Sequence, residues 1–162
     1  TRPVLDASGY SHRVAESDIY DTHDYEQDPV RLAAHYRDLH DNSAYCHVAH
    51  RNEPYRGQPF FNSEFGGIRW NPAKPSGSQS WGYGDPPATL EEFYRRFDGL
   101  VTVLRSHPGM FGYCYTQLTD VFIEENGICF FDRTPKFDLA RLRAIQEQPA
   151  ACEANNFAAK GI

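Results

Sequence analysis

Short apolar runs alternate with helix-like segments along this chain, and the alternation constrains its fold more than any other feature. The runs predicted as strands are residues 4–6, 19–25, 60–64 and 110–118. The segments predicted as helices begin near Pro29, Thr89 and Lys136. Because strands separated by helices form parallel sheets with right-handed crossovers, we predict an α/β fold in which four parallel strands lie in chain order. The helices are then expected on one face of the sheet.

The helix after residue 88 is the best-defined element in the sequence. Thr89 and Glu92 form a capping box, in which each side chain satisfies a backbone N–H at the start of the helix. Apolar residues then recur at intervals of three and four. Asp28 and Pro29 predict the cap and first turn of an earlier helix of about three turns. Residues 149–162 show no hydrophobic period, so we predict one domain over residues 1–148 and a tail that is a candidate for disorder.

Residues 59–67 (PFFNSEFGG) place one carboxylate near the end of an apolar run. Pro59 is tolerated at the first residue of a strand, and the two final glycines allow the backbone to turn sharply or to approach a ligand closely. Glu64 is therefore expected at the carboxyl end of a strand, where β/α barrels carry their chemistry. The nonapeptide alone favours this role no more than a structural one, in which Glu64 caps the next loop or pairs with Arg69.

Polar and aromatic residues follow the other predicted strands at the same end. They are His23 and Tyr25 at the second strand, Trp70 and Trp81 in the long loop after the third, and Gln117 and Asp120 at the fourth. Aromatic faces and Tyr hydroxyls suit a carbohydrate ligand. Structural alternatives remain open, because a buried His or Tyr is often a satisfied core residue and a Trp often anchors a loop.

Charge and composition argue against several other classes of function. With 16 Lys and Arg residues against 22 Asp and Glu, the formal net charge is −6, which disfavours a nucleic-acid partner because phosphate binding needs a basic surface. No run reaches the roughly 18 to 20 apolar residues that cross a membrane, so no membrane partner is expected. His47 and His50 lack a third ligand at a suitable spacing, so we predict neither a metal nor another cofactor.

The four cysteines also lack the spacing of a metal site. Cys114 and Cys129 lie in apolar sequence, where a free Cys packs as a small buried hydrophobe. Reduced thiols are the preferred interpretation, and a disulfide between these two residues is the open alternative.

Four separated stretches resemble the carboxyl-terminal half of the catalytic barrel of family 2 glycoside hydrolases, the β-galactosidase and β-glucuronidase group. Residues 62–67 (NSEFGG) resemble the segment that carries the family's nucleophile on the seventh barrel strand, and residues 112–120 (GYCYTQLTD) resemble the eighth strand. Residues 18–25 (DIYDTHDY) are similar to the sixth strand, and residues 131–136 (FDRTPK) to the stretch before the last helix. The resemblance extends to about residue 146 and implies about four β/α units, the second half of a (β/α)8 TIM barrel.

The resemblance implies a retaining glycoside hydrolase with Glu64 as nucleophile and a second carboxyl group as acid/base. In the family the acid/base Glu lies at the end of the fourth barrel strand, which would precede Thr1, so we expect the chain to be part of a longer protein. Residues 52–54 (NEP) resemble such a motif, but Glu53 and Glu64 are too close in sequence for the elements that separate the two carboxylates in a barrel. We interpret Glu53 as a loop charge. The implied substrate is a carbohydrate, bound also by His23, Tyr25, Trp70, Trp81, Gln117 and Asp120.

Half a barrel would expose two strand edges and an apolar inner face, which proteins usually cover. We therefore expect either the remainder of the barrel or self-association to cover them. The alternative to an enzyme is a non-catalytic carbohydrate-binding or scaffold module, which would use the same aromatic residues. A lone Glu within an apolar strand favours the enzyme, because a charge is costly to keep there without a use.

Overall fold

The computed structural model describes residues 2–6, 9–39, 43–46, 52–72 and 78–154. Within them the chain forms the strands β1 (Tyr20–Asp24), β2 (Phe60–Gly66) and β3 (Met110–Thr116) and the helices α1 (Pro29–His35), α2 (Leu90–Ser106) and α3 (Leu139–Gln146). The strands are parallel and lie in the order β1-β2-β3. The last three of the four predicted strands, and their parallel order, are therefore confirmed.

Each helix begins where a side chain caps its first turn. Asp28, Thr89 and Asp138 accept hydrogen bonds from backbone amides at the starts of α1, α2 and α3. These amides have no partner within the helix, so the caps fix where each helix begins. The caps of α1 and α2 are as predicted. However, α1 has only 7 residues, fewer than three turns, and α3 starts at Leu139 instead of near Lys136.

The hydrophobic core lies between the sheet and the helices. Strand residues supply one side of it: Tyr20, Phe60, Phe65 and Met110. Helix residues supply the other side: Leu32 of α1, Phe93, Phe97, Leu100, Val101 and Leu104 of α2, and Leu142 of α3. The helices therefore cover one face of the sheet, as predicted, and this apolar burial is the main force that holds the layers together. The other face of the sheet carries the polar side chains described below.

Residues 4–6, predicted as the first strand, form a loop instead. The Asp6 carboxylate accepts hydrogen bonds from the backbone amides of Arg13 (2.6 Å) and Val14 (2.9 Å). The Val4 carbonyl accepts one from the amide of Asp18 (2.9 Å). An Asp side chain that binds nearby backbone N–H groups favours turns over strands, and a three-residue apolar pattern does not reveal such contacts. The prediction of a strand at residues 4–6 is wrong.

The sequence of β3 is apolar nearly throughout, which is typical of a strand covered on both faces. In the structure β3 lies at the edge of the described sheet, and only one of its faces is covered. Phe111 is 55% exposed, and Cys114 is also exposed, not buried as predicted. Met110 is the one buried residue of this strand. The apolar sequence of β3 therefore predicts that other residues pack against its exposed face. The described part of the chain does not contain such residues.

Beyond α3, residues 151–154 form one helical turn within the stretch predicted as a tail. The rest of that stretch, residues 155–162, lies outside the described residues. Across the described ranges, no helix combines the length and the apolar character needed to span a membrane.

Candidate active site

A β-bulge in β2 adds one residue to the ladder with β1. Thr22 pairs with Asn62, and the next residue, His23, pairs with Glu64, so Ser63 has no partner of its own. The register on the β3 side of the strand also shifts over this stretch. Bulges bend a strand and redirect side chains, and they are frequent beside active sites.

The bulge places two consecutive side chains of β2 on the same face. Asn62 forms a hydrogen bond with the Tyr36 hydroxyl at 2.9 Å on the helix side, and Phe65 lies in the core on that side too. Ser63 and Glu64, which lie between them, both contact side chains on the opposite face. Regular alternation would send one of these two residues into the core. The bulge therefore delivers the Glu64 carboxylate to the face that the helices leave open.

The Glu64 carboxylate contacts two predicted site residues. The Tyr25 hydroxyl donates a hydrogen bond to Glu64 Oε2, and His23 Nδ1 lies 3.1 Å from the same oxygen. The Tyr25 hydroxyl also lies 3.3 Å from Thr116 Oγ1 at the end of β3. Tyr25, which follows β1, thus links the Glu64 carboxylate of β2 to the end of β3. The Glu64 side chain is 37% exposed, so it is open to a ligand.

Tyr25 is held in place by an aromatic stack that the sequence did not predict. The rings of Tyr25 and Tyr83 are parallel within 4°, with centroids 3.3 Å apart. Gly67 allows this arrangement: its φ is +58°, and a Cβ there would lie 2.3 Å from the Tyr83 ring. Burial and the hydrogen bond to Glu64 raise the pKa of Tyr25, so its hydroxyl remains a donor.

The two tryptophans occupy different settings. Trp81 is 43% exposed, and its ring meets the edge of Tyr83 with centroids 4.8 Å apart. Trp81 therefore extends the series of contacting side chains that leads from Glu64 through Tyr25 to Tyr83. Trp70 instead packs against the hydrophobic core, the anchoring role that had been left open for it.

Asp120 is engaged in a buried ion pair. Its Oδ1 lies 2.5 Å from Lys136 Nζ and accepts a hydrogen bond from Gly127 N at 2.9 Å. Lys136 Nζ also donates to the carbonyls of Trp70 (3.0 Å) and Glu125 (3.2 Å). Burial lowers the pKa of Lys136, and Asp120 opposes that shift by stabilising the charged amine. These contacts give Asp120 a structural role, and its predicted sugar contact stays a prediction.

Gln117 follows β3 directly, and its backbone joins the loop that returns past Asp120. Its carbonyl accepts a hydrogen bond from Ile128 N at 2.9 Å. The peptide bond between Thr116 and Gln117 is cis. The Gln117 Nε2 atom is buried and has no hydrogen-bond partner within the described ranges. Of Gln117 and Asp120, the two sugar contacts predicted at the end of β3, Gln117 therefore has a hydrogen-bond donor that is still unused.

A network of buried polar groups adjoins Glu64, and sequence reasoning missed it. His12 Nδ1 lies 2.7 Å from Asp6 Oδ1, and His12 Nε2 lies 3.2 Å from Asp21 Oδ1. Asp21 Oδ2 accepts a hydrogen bond from the Ser63 hydroxyl. Burial opposes the charge on His12, but hydrogen bonds to Asp21 and Asp6 outweigh it and raise the pKa of His12 to about 9. No local motif signals this network, since its members come from three separate segments.

Two further predictions concern residues away from this network. The Glu53 side chain is 41% exposed and lies 3.6 Å from Arg56, and the Tyr20 hydroxyl at the start of β1 donates to the Glu53 carbonyl at 3.1 Å. Glu53 is therefore near the end of the sheet opposite Glu64, as a loop charge. In the described ranges no group of three His, Cys, Asp or Glu side chains is arranged so that it could hold a metal ion, and His47 and His50 lie outside those ranges.

Comparisons with known proteins identify a similar fold. No protein-family model and no curated protein matches the sequence. A GH2 β-galacturonidase from Eisenbergiella tayi bound to glycerol matches with a TM-score of 0.57 and 15% identity, over 88% of this chain and 27% of that chain. The galacturonate-bound form matches with a TM-score of 0.54 and 16% identity, over 88% and 27%. A β-glucuronidase from Bacteroides uniformis matches with a TM-score of 0.51 and 17% identity, over 80% and 15%.

These similarities establish the class of fold. The chain folds like a part of family 2 glycosidases, as its sequence motifs led us to expect, and it spans 27% or less of the length of those chains.

Proposed function

We propose that this chain is the part of a retaining glycosidase that carries the catalytic nucleophile, Glu64. One observation carries the proposal: the Glu64 carboxylate lies at the carboxyl end of β2, is 37% exposed and is held by the hydroxyl of Tyr25. Within the described residues, no Lys or Arg lies within ion-pairing distance of it. The glycosidase-like fold supports the proposal. In this proposal β1, β2 and β3 are the sixth, seventh and eighth strands of a (β/α)8 barrel.

The proposed reaction uses Glu64 in two steps. A carboxylate oxygen bonds to the anomeric carbon of the sugar while the bond from that carbon to the leaving oxygen breaks. A second carboxyl group, supplied from outside this chain, gives its proton to the leaving oxygen. It then takes a proton from the water that attacks the glycosyl ester, and this attack returns Glu64 to its ionised form.

Tyr25 would orient the nucleophile. Tyr25 and His23 both contact Oε2 of Glu64, so Oε1 is the oxygen that we propose attacks the sugar. Burial and Glu64 raise the pKa of Tyr25, so the hydroxyl stays protonated. It therefore donates a hydrogen bond to the carboxylate and remains neutral. A neutral donor fixes the position of the carboxylate and leaves its charge available to stabilise positive charge at the anomeric carbon.

The substrate would be a glycoside, with Trp81 and Tyr83 as the aromatic surface beside the sugar. Trp81 is exposed and adjoins Tyr83, which stacks on Tyr25. The solved structures of similar fold are a β-galacturonidase and a β-glucuronidase. β-Glycosides of galactose, glucuronic acid and galacturonic acid are therefore the first substrates to test. Gln117 is proposed as a further contact to a sugar hydroxyl.

The open face of the sheet supports a partner that completes the barrel. Phe111 and Cys114 of β3 are exposed on the described structure. An edge strand with exposed apolar side chains is usually covered in the functional protein. We propose that the remainder of a barrel, carrying the acid/base group, pairs with this edge.

Covalent trapping tests the function directly. The full-length protein is incubated with 2-deoxy-2-fluoro glycosides of the three sugars, and peptides are analysed by mass spectrometry. We expect the label on the peptide that contains Glu64, with Glu53→Gln as a matched variant that labels normally. A non-catalytic carbohydrate-binding module would bind the sugars through its aromatic residues and take no label. A label on Glu53 would reject the assignment of the nucleophile.

A further inference from the structure

A line of buried polar contacts connects the amino-terminal segment to the bulge that carries Glu64. It runs from Asp6 through His12 to Asp21, with separations of 2.7 Å and 3.2 Å between the facing atoms. It then runs from Asp21 Oδ2 to the Ser63 hydroxyl, which donates to it. The side chains of Asp6, His12 and Asp21 are at most 3% exposed. Ser63 directly precedes Glu64.

We propose that His12 is a positioning residue: through Asp21 and Ser63 it fixes the bulge that aims the Glu64 carboxylate. The inference rests on the proposed function of Glu64. Asp21 has two oxygens and two tasks, since Oδ1 faces His12 while Oδ2 accepts from Ser63 and from Gly9 N at 3.0 Å. His12 Nε2 also lies 2.8 Å from the Asp21 carbonyl oxygen, so His12 positions the Asp21 backbone as well as the carboxylate whose Oδ2 holds Ser63.

Both ring nitrogens of His12 face acceptor oxygens. Nδ1 lies 2.7 Å from Asp6 Oδ1, and Nε2 lies 2.8 Å from the Asp21 carbonyl oxygen and 3.2 Å from Asp21 Oδ1. Because these oxygens only accept hydrogen bonds, a ring that carries both protons donates at both nitrogens. The Tyr20 ring stacks on the imidazole with centroids 3.9 Å apart. The backbone of His12 contacts the side chain of Asn52 and the amide of Glu53. The facing charged groups are thus the two carboxylates, which favour the protonated ring.

The position of the bulge matters because nucleophilic attack depends on short distances. Reacting atoms must approach to about 3 to 3.5 Å, and a misplacement of about 1 Å can cost on the order of 100-fold in rate. Ser63 is the extra residue of the bulge and is bonded to Glu64, so a shift of Ser63 moves the carboxylate. His12 itself contacts neither Glu64 nor Tyr25 in the contacts described above.

The experiment measures how fast the full-length protein is labelled at Glu64 between pH 5 and 10. The probe is a 2,4-dinitrophenyl 2-deoxy-2-fluoro glycoside of the sugar that labels the wild type. In the labelling step a Glu64 oxygen bonds to the anomeric carbon, and dinitrophenolate leaves with the electron pair of the broken bond. This leaving group departs without a proton, so the acid/base group does not shape the pH profile.

Three variants separate positioning from simple stabilisation. In Ser63→Ala, which leaves His12 in place, we expect labelling at least about 10-fold slower across the pH range. In His12→Gln, we expect a similar loss near pH 7 and no further fall near pH 9, where the wild type loses rate as the ring loses its proton. His35→Gln is the matched control, because His35 also faces a buried carboxylate, Asp24, at 2.8 Å but on the helix side of the sheet. It should keep the wild-type rate and profile.

The outcomes distinguish the two proposals. If the wild type is labelled at Glu64 while Ser63→Ala and His12→Gln label at the wild-type rate, or lose only melting temperature, His12 is not a positioning residue. If His12→Gln does not fold, an unchanged rate in Ser63→Ala alone overturns the inference. No label on the wild type with any of the three sugars overturns the proposed function itself.

Discussion

Glu64 lies near the end of β2 and Asp120 follows the neighbouring strand β3, yet the two carboxylates occupy different electrostatic settings. The Asp120 side chain is 7% exposed and lies 2.5 Å from Lys136, whose side chain is 0% exposed. The Glu64 side chain is 37% exposed and accepts a hydrogen bond from the Tyr25 hydroxyl, and His23 Nδ1 lies 3.1 Å from the same oxygen. The structural carboxylate Asp120 is thus buried and paired with a cation, while Glu64 is partly exposed and its hydrogen-bond donor is a neutral hydroxyl.

The difference explains why one site suits chemistry and the other suits stability. A buried ion pair has little freedom to change its charge, because removal of either partner leaves an uncompensated charge in a poorly solvated place. A carboxylate fixed by a neutral hydroxyl keeps its full charge and can stabilise charge that develops on a substrate. The comparison therefore predicts that changes at Glu64 affect rate and changes at the Asp120 pair affect folding.

The largest expected effect is on turnover. Glu64→Gln in the full-length protein should lower glycosidase turnover by at least about 10⁴-fold, as loss of an essential catalytic group does in other enzymes. Its melting temperature should stay close to that of the wild type, because the partly exposed side chain contributes little packing. Turnover is measured with aryl glycosides and melting by circular dichroism. Retained turnover would place the nucleophile elsewhere.

The second expected effect is on stability. Lys136→Met removes the cation and leaves Asp120 buried without it, which typically costs about 3 to 5 kcal/mol of unfolding free energy. Urea denaturation measures the loss. Arg141→Met is the matched control, since Arg141 pairs with Glu91 at 2.6 Å on the surface and such pairs contribute little. Equal losses in the two variants would show that burial does not distinguish the pairs.

Local sequence signals predicted the elements that place Glu64. The capping residue Thr89 and the apolar spacing behind it predicted α2, and the apolar run before Glu64 predicted β2. Such signals involve residues within a few positions of each other, so a pattern in the sequence is enough to show them. The approach of His23 and Tyr25 to Glu64 followed from the parallel order of strands, because the carboxyl ends of parallel strands meet at one edge.

The remaining features depend on contacts between distant segments. Tyr83 stacks on Tyr25 across 58 positions of sequence, and Ser63 bonds Asp21 across 42. The bulge at Ser63 has no local sequence signature, because it arises from pairing with two neighbouring strands. The false strand at residues 4–6 has the same origin: whether an apolar run pairs as a strand depends on a partner that its own sequence does not specify.

The third prediction uses pH, because the group beside Asp21 is the imidazole of His12, whose charge depends on pH. The pKa of His12 is raised from 6.5 to about 9, so the folded state binds this proton more tightly than the unfolded state. The resulting stabilisation is fully present below about pH 6.5 and is lost as the pH rises through about 9, with a maximum of roughly 3 kcal/mol. Urea denaturation at pH 6 and pH 10 should show this fall in the wild type. In His12→Gln the fall should be absent, and a similar fall there would assign it to other groups.

The smallest expected effect concerns the neutral donor that distinguishes Glu64 from Asp120. Tyr25→Phe keeps the ring stacked on Tyr83 and removes the hydroxyl that donates to Glu64. A hydrogen bond to a charged group contributes about 1.5 to 3 kcal/mol, so kcat should fall roughly 10- to 150-fold while the fold is retained. Tyr55→Phe is the matched control, because the Tyr55 hydroxyl donates to the Gln58 carbonyl at 2.9 Å, before the start of β2, and its loss should leave kcat unchanged. If both variants keep the wild-type kcat, the hydroxyl does not position the carboxylate, and the contrast between the two sites then rests on exposure and the missing cation alone.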